Sequence, residues 1–377
     1  MTNPILVEAT RGGIVESAHR GALAVVDAHG ATVHAIGDVA RPVFARSAVK
    51  VLQALPLVTS GAAEAFALTD EELALACASH NGQAQHVATA AGMLAKAGLD
   101  EQALECGVHW PQHEVAQREL AASGVLMGAP TPTALAAPRV GAAGSAAAQR
   151  PLSALHNNCS GKHAGFLCVG CLMARTHGSD PRAFVRGYVR PDHPVMREVS
   201  VALQAATGCD LSRAPAGTDG CSIPTYGIAL TQLALAFARV ATGVGLSADR
   251  ARAAARLRTA VARAPFFVAG SGRFDTKVMQ RLGERVFCKV GAEGVFCAAL
   301  PEQGVGVAIK VDDGNNARAA EVVMAAVIEA LVRLDDDERT FMHGLSDVTL
   351  RNWNGIEVGA LRGTAELRAA LPGARRQ

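Results

Sequence analysis

Along the chain the period of apolar positions changes twice. Short alternating runs, Ile5 to Glu8, Leu23 to Val26 and Thr32 to Ile36, with an Asp27-Ala28-His29-Gly30 turn between the last two, predict antiparallel strands near the N-terminus. The spacing then becomes helical over Ala48 to Leu57, Asp70 to Ala78, Gln85 to Ala97 and His113 to Ser123. Thr69 followed by Asp70, Glu71 and Glu72 supplies an N-cap and an acidic first turn. Residues 127 to 155, with Pro130, Pro132, Pro138 and Pro151 among Gly and Ala clusters, predict a long surface excursion. Helical spacing returns over Gly165 to Arg175, Pro194 to Thr207, Leu230 to Ala241 and near 248 to 263, interrupted by a turn-like stretch at 217–224. Three strands, Arg285 to Val290, Gly294 to Leu300 and Gly304 to Val311, precede a helix over Asn316 to Leu334.

Strands therefore gather at both ends with helices between them. An open sheet face has to be buried, which predicts an α+β fold: one antiparallel sheet built from both chain termini and flanked by helices, with a mainly helical second lobe. As a single catalytic unit spanning 1–377, this gives a sheet lobe from about 1–45 and 265–377 and a helical lobe from about 46–264.

Composition narrows the class. Half of the 377 residues are hydrophobic and 19% charged, enough to bury a sizeable core. The formal charge of +2 gives no global attraction to nucleic acid or a membrane surface. The basic run Arg250, Arg252, Arg256, Arg258 and Arg263 reads as a solvated helix face without interleaved aromatics. Apolar runs are too short to span a bilayer, and Met1-Thr2-Asn3-Pro4 does not open a signal peptide, so the expectation is a cytoplasmic protein. Nine cysteines then read as buried thiols or metal ligands.

Of the 36 Lys and Arg residues only six are lysine: Lys50, Lys96, Lys162, Lys277, Lys289 and Lys310. A lysine kept in an arginine-rich chain marks a place where a permanently charged guanidinium cannot serve, because only the amine loses its proton when desolvated. Lys50 follows Ser47 by three residues at a predicted helix start, so their side chains share a face. Ser79 lies in Ala76-Cys77-Ala78-Ser79-His80-Asn81-Gly82, where a helical pattern gives way to a polar turn. Lys289 ends a strand in Cys288-Lys289-Val290-Gly291-Ala292-Glu293-Gly294, on the face opposite Cys288 and Val290. An early Ser-x-x-Lys with a late strand-borne Lys-x-Gly resembles the skeleton of serine β-lactamases and penicillin-binding proteins. That resemblance implies an oxyanion hole made by the backbone N–H groups of Ser47 and Ala292.

Two cysteine-bearing stretches differ in character. Cys168-x-x-Cys171 sits in an apolar helical run and reads as core thiols. Cys159-Ser160-Gly161-Lys162-His163 is polar, follows His156-Asn157-Asn158, and could share a soft-metal site with Cys221, His156 and His163 competing as nitrogen ligands. Gly270-Ser271-Gly272 is too short for a dinucleotide fingerprint.

Together, Arg46-Ser47-x-x-Lys50, Ser79-His80-x-Gly82, His156 through His163, Asp219-Gly220-Cys221, Gly272-Arg273-x-Asp275-Thr276 and Lys289-x-Gly291-Ala292-Glu293-Gly294 resemble the rhizobial, thermolabile type of L-asparaginase over nearly the whole chain. The resemblance implies hydrolysis of L-asparagine to aspartate and ammonia, a β-lactamase- and glutaminase-like fold, and a homodimer. It implies two Ser–Lys tandems, Ser47 with Lys50 and Ser79 with Lys289, working through an acyl-enzyme. It also implies one supporting zinc ion on Cys159, Lys162 and Cys221. Arg46, His80, Asp219, Gly291, Ala292 and Glu293 are the motif-borne candidates for substrate contact. Gln83, Val51 and Ser222 depart from the family's commoner Glu, Pro and Gly at those places. A glutaminase or other Ser–Lys amidohydrolase, and a non-catalytic amino-acid or zinc sensor on the same fold, are the alternative readings.

Overall fold

A computed structural model describes residues 2–123 and 152–371. Most of the excursion expected over 127–155 lies outside the described residues; its end, Ala154–His156, is a short 3₁₀ turn capped by Ser153.

The principal sheet is antiparallel and uses both ends of the chain. Its strands are β1 (Ile5–Arg11), β2 (Ile14–Asp27) and β3 (Thr32–Ile36) from the N-terminal part. The later part supplies β7 (Phe287–Val290), β8 (Val295–Leu300), β9 (Val305–Val311), β10 (Asp347–Arg351) and β11 (Glu357–Gly363). Their order is β10-β11-β1-β2-β9-β8-β7, with β3 paired to β2 beyond the point where β2 leaves β1. Three further short strands, β4 (Pro42–Phe44), β5 (Ala216–Thr218) and β6 (Pro224–Ala229), form a second sheet in the order β4-β6-β5. The turn-like stretch at 217–224 is thus the tip of a β5–β6 hairpin rather than a free loop.

Register explains how helices cover the principal sheet. Phe287 pairs with Ala299, Lys289 with Cys297, Ala299 with Gly306 and Cys297 with Ala308, while Val26 pairs with Gly306 and Ala24 with Ala308. Directly paired residues share a face, so one face carries Ala24, Cys297, Ala299, Gly306 and Ala308. These small side chains let the helix Leu230–Thr242 come close: a Cβ on Gly306 would lie 2.0 Å from Ala234 O. On that face Phe237 stacks on Phe287. Phe274, which begins the helix Phe274–Leu282, meets Phe296 on the opposite face. With both faces covered, every residue of β7 and β8 is buried.

The helical part joins this core. Pro194–Thr207 and Ala248–Arg263 form helices with the expected bounds. The helix expected over Ala48 to Leu57 is instead broken into a 3₁₀ turn, Arg46–Val49, and short helices Lys50–Gln53 and Leu55–Thr59. Pro56 lacks the N–H that would bond to Leu52 and crowds that carbonyl, so the ladder cannot run through. Among the described residues no helix is long and apolar enough to cross a membrane.

Candidate active site

The site begins where β4 ends. Arg46 has φ of +51°, a left-handed conformation that a side chain rarely adopts, and it turns the chain sharply into the 3₁₀ segment. With three residues per turn, Ser47 and Lys50 lie one above the other, and the Lys50 N–H donates to Ser47 O. Lys50 is fully buried. Its amine donates to Ala78 O at 2.6 Å, to Ser79 Oγ at 2.9 Å and to Cys159 Sγ at 3.1 Å. The amine therefore reaches across to the second serine. Ser47 is half-buried at the same turn, and its hydroxyl makes no hydrogen bond among the described residues.

Ser79 follows the helix Asp70–Ala76, and its backbone N–H donates to Val268 O at 2.9 Å, as Asn81 N–H does to Ala269 O at 2.8 Å. The stretch 266–273 thus runs beside the Ser79 turn. It is clasped there: Gln83 Oε1 accepts from Ser271 N, Asn81 Nδ2 donates to Ser271 O, and Arg273 donates to Asn81 Oδ1. His80 Nδ1 accepts from Gly82 N at 3.0 Å, so the ring proton sits on Nε2, which faces Ser160 Oγ at 2.9 Å. Burial holds this imidazole neutral, its pKa well below the usual value.

Lys289 is also fully buried. Its amine donates to Val290 O at 2.7 Å and lies 3.8 Å from Asp275 Oδ2. Burial lowers its pKa to about 7, with Asp275 opposing the shift and Lys50 adding to it. Just beyond, Gly291 packs so tightly on the Ser47 turn that a Cβ there would stand 2.8 Å from Ala45 O. Its N–H is taken by Val295 O. Ala292 is half-buried, and Glu293 is exposed with φ of +55°. Arg46 and Glu293 border one surface pocket of about 270 Å³, together with Phe44 and Lys310.

Cys159 precedes the helix Ser160–Thr176, which carries Lys162 on its first turn, while Cys221 comes from the β5–β6 hairpin. Lys162 Nζ is 3.1 Å from Cys221 Sγ, whose thiol faces Asp219 Oδ2 at 3.9 Å, and Cys159 Sγ faces Asn158 Oδ1 at 3.2 Å. The neighbouring Cys221 thiol and the Lys50 and Lys162 amines hold Cys159 well below the ordinary thiol range, whereas Cys159 and burial push Cys221 up. Burial alone would lower the pKa of Lys162, but the sulfurs of Cys221 and Cys159 raise it. Two sulfurs and one amine thus converge in a buried cluster, a donor set that fits a soft ion. Among the described residues no three His, Cys, Asp or Glu side chains form a metal-sized group, so an ion here needs the Lys162 amine. His156 and His163 are engaged elsewhere, the first accepting from Ser153 N and the second facing Tyr188 Oη. Cys168 and Cys171 are buried in the helix interior, and burial pushes the Cys168 thiol up to about 12.

Asp219 Oδ1 accepts from Arg46 Nε at 2.5 Å and from Gly220 N at 2.8 Å. The pair ties the β5–β6 hairpin to the Ser47 turn. Ser222, at the tip of that hairpin, also has positive φ, +76°. The expected residues therefore come together from five separated stretches. Lys50, expected with Ser47, bonds Ser79, while Lys289, expected with Ser79, is held by Asp275 and Val290 and hydrogen-bonds to neither serine among the described residues.

Asp275 appeared in the sequence only within the Gly272-Arg273-x-Asp275-Thr276 motif and was given no part in the site. It stands in the first turn of a helix, where acidic residues are common caps, and nothing local distinguishes it from one. Glu321 is similarly unannounced: burial, reinforced by Asp275, pushes its pKa up to about 7.

The model of the family described as L-asparaginase II matches residues 7–133 and 127–363, which together take in nearly the whole chain. No curated protein matches it.

Proposed function

The chain belongs to the L-asparaginase II family, a family of amidohydrolases, and on that premise we propose that it hydrolyses the side-chain amide of L-asparagine through an acyl-enzyme. The observation that carries this reading is the Lys50 amine, buried and 2.9 Å from Ser79 Oγ, one 3₁₀ turn after Ser47. Ser47, half-buried and without a side-chain hydrogen bond among the described residues, is the hydroxyl a substrate can reach, whereas Ser79 is 5% exposed. In this reading Ser47 Oγ bonds to the amide carbon, and its proton passes by Lys50 and Ser79 to the leaving nitrogen, which departs as ammonia. Water then attacks the ester, giving its proton back by the same groups, and aspartate leaves with Ser47 restored. Lys289, at the other side of the cleft, stabilises and relays charge in both steps.

Backbone N–H groups of Ser47 and Ala292 would face the oxyanion, each worth about 3 kcal/mol in comparable sites. Arg46 uses Nε on Asp219, leaving its terminal nitrogens for the substrate carboxylate. Glu293, on the same pocket, suits the α-ammonium, while His80, neutral and facing Ser160 from Nε2, would support the site from the interior beside Ser79. Cys159, Lys162 and Cys221 would hold a zinc ion, which when bound supplies positive charge that braces the cleft and orients the substrate. The antiparallel sheet with its helical second lobe suits a serine β-lactamase-like fold, acting as one catalytic unit, as a homodimer and in the cytoplasm.

Ammonia release measured with asparagine and with glutamine tests the substrate; faster turnover of glutamine moves the assignment to a glutaminase. Binding of asparagine without turnover, and no change on Ser47→Ala, would instead mark a sensor. Metal content of the purified chain, compared with Cys221→Ala, tests the zinc site without reference to activity: about one zinc per chain is expected in the first and its loss in the second.

A further inference from the structure

A lysine amine used in catalysis has to be fixed, since its flexible four-carbon stem carries large rotamer entropy. Lys289 meets this problem in an exposed topological position. Among the described residues β7 is an edge strand, paired to β8 alone, so the outward backbone groups near its end have no neighbouring strand there. Asp275 takes that place. Its Oδ2 accepts from Val290 N at 3.0 Å and stands 3.8 Å from Lys289 Nζ, while Nζ bonds back to Val290 O at 2.7 Å. One carboxylate oxygen thus holds both the strand end and the amine. Asp275 is 1% exposed, and its helix is fixed from both sides. Phe274 meets Phe296 at 5.4 Å, and Arg273 bonds to Asn81, two residues after Ser79.

Resting on the Ser–Lys reading of the cleft, we propose that Asp275 is a positioning residue of the amidohydrolase, holding the Lys289 amine toward the serines by its carboxylate charge and by its bond to the end of β7. A plain cap for an unpaired strand N–H needs no charge, and an asparagine oxygen would do as well. The charge matters because Lys289 is faced by other cations. Burial, Lys50 and Arg273 all lower its pKa, and Asp275 with Cys159 works against them. The nearby thiols of Cys77, Cys288 and Cys297 are held neutral by burial. Glu321, beyond Asp275, has its own pKa pushed up to about 7 by burial and by Asp275, so near neutrality it is only partly charged.

Asp275→Asn keeps an acceptor for Val290 N–H and removes the charge. On asparagine, from pH 5 to 10, this variant is expected to lose about tenfold or more in kcat, with KM within about twofold. The limb of the kcat profile set by Lys289 should move to lower pH by about 1 unit, because loss of a neighbouring carboxylate lowers an amine's pKa. Asp275→Glu, which keeps the charge but displaces the oxygen, should lower kcat and leave the limb in place. An Asn variant with wild-type kcat and an unmoved limb overturns the role of Asp275 alone; a wild-type chain inactive on both asparagine and glutamine overturns the Ser–Lys reading and this role with it. Should the Asn variant fail to fold, the Glu variant decides: unchanged kcat overturns the proposal.

Discussion

At the scale of the residue, burial separates lysine from arginine: Lys50, Lys162 and Lys289 are buried, whereas among the described residues no arginine is. Lys50 and Lys289 are fully buried amines, one against Ser79 and the other against Asp275. A guanidinium in place of Lys50 cannot give up its proton, so Lys50→Arg is expected to lower kcat on asparagine by about 10²- to 10⁴-fold. Lys50→Met should do the same while avoiding the larger head group, and retention of full activity by either would remove the amine from the reaction. The scarcity of lysine made these two positions legible. Asp275 stood in a motif of the sequence without any sign of a role, because its contact is with a strand end fifteen residues later. Ser222 shows the opposite case, a departure visible in the sequence whose cost appears only in the backbone. It sits exposed at φ of +76°, where a Cβ is strained by about 1 kcal/mol or more. Ser222→Gly should therefore raise the urea unfolding free energy by about that amount; an unchanged or lowered value would show that the serine side chain compensates.

At the scale of the element, what could be read was what local pattern determines. The helices Pro194–Thr207 and Ala248–Arg263 carry their own signals, Pro194 at the first position of one and a Ser247 cap on the other. β7, β8 and β9 showed as apolar runs between glycines. β4, β5 and β6 did not, because strands of three to six residues are too short to show a period: β4 exists through pairing with β6 more than 170 residues on, and β5 as the short arm of the β5–β6 hairpin. β10 and β11 likewise extend the sheet at a mostly half-exposed edge, where hydrophobic patterning is weak. The helix Ser160–Thr176 was expected to begin later, since the polar stretch before Gly165 reads as a loop. Contact with the helix Asp70–Ala76 extends it: a Cβ on Gly161 would stand 2.4 Å from Leu75 O. Gly161→Ala should therefore push the two helices apart, costing about 1–3 kcal/mol, and displace Cys159 and Lys162 with them. A lowered melting temperature accompanied by lost zinc binding is the expected pair of readings; a stable variant that has lost neither would mean the helix slides without cost.

At the scale of the whole molecule, closing one sheet from both termini brings stretches distant in sequence into a single buried cluster. The polar groups trapped in that cluster set how the fold responds to pH. His80 and His86 stack on each other, and burial lowers both pKa values, His86 to about 4. A group whose folded pKa lies below its unfolded value near 6.5 takes up its proton first in the unfolded chain. The stability these rings permit is complete above pH 6.5 and is lost as pH falls toward 4. Glu321 works the other way. Its pKa is raised to about 7 in the folded state, so the folded chain binds its proton first, and this contribution grows as pH falls from about 7 to 4.5. Two histidines outweigh one glutamate, so the melting temperature should fall on acidification from pH 7 to pH 4.5. Glu321→Gln removes the opposing contribution and should make that fall steeper, whereas His86→Phe, which keeps a ring against Phe266, should make it shallower. Melting curves at half-unit pH intervals for the three chains separate these slopes, and a Glu321→Gln curve parallel to the wild type would show that this carboxyl is not held protonated by the fold.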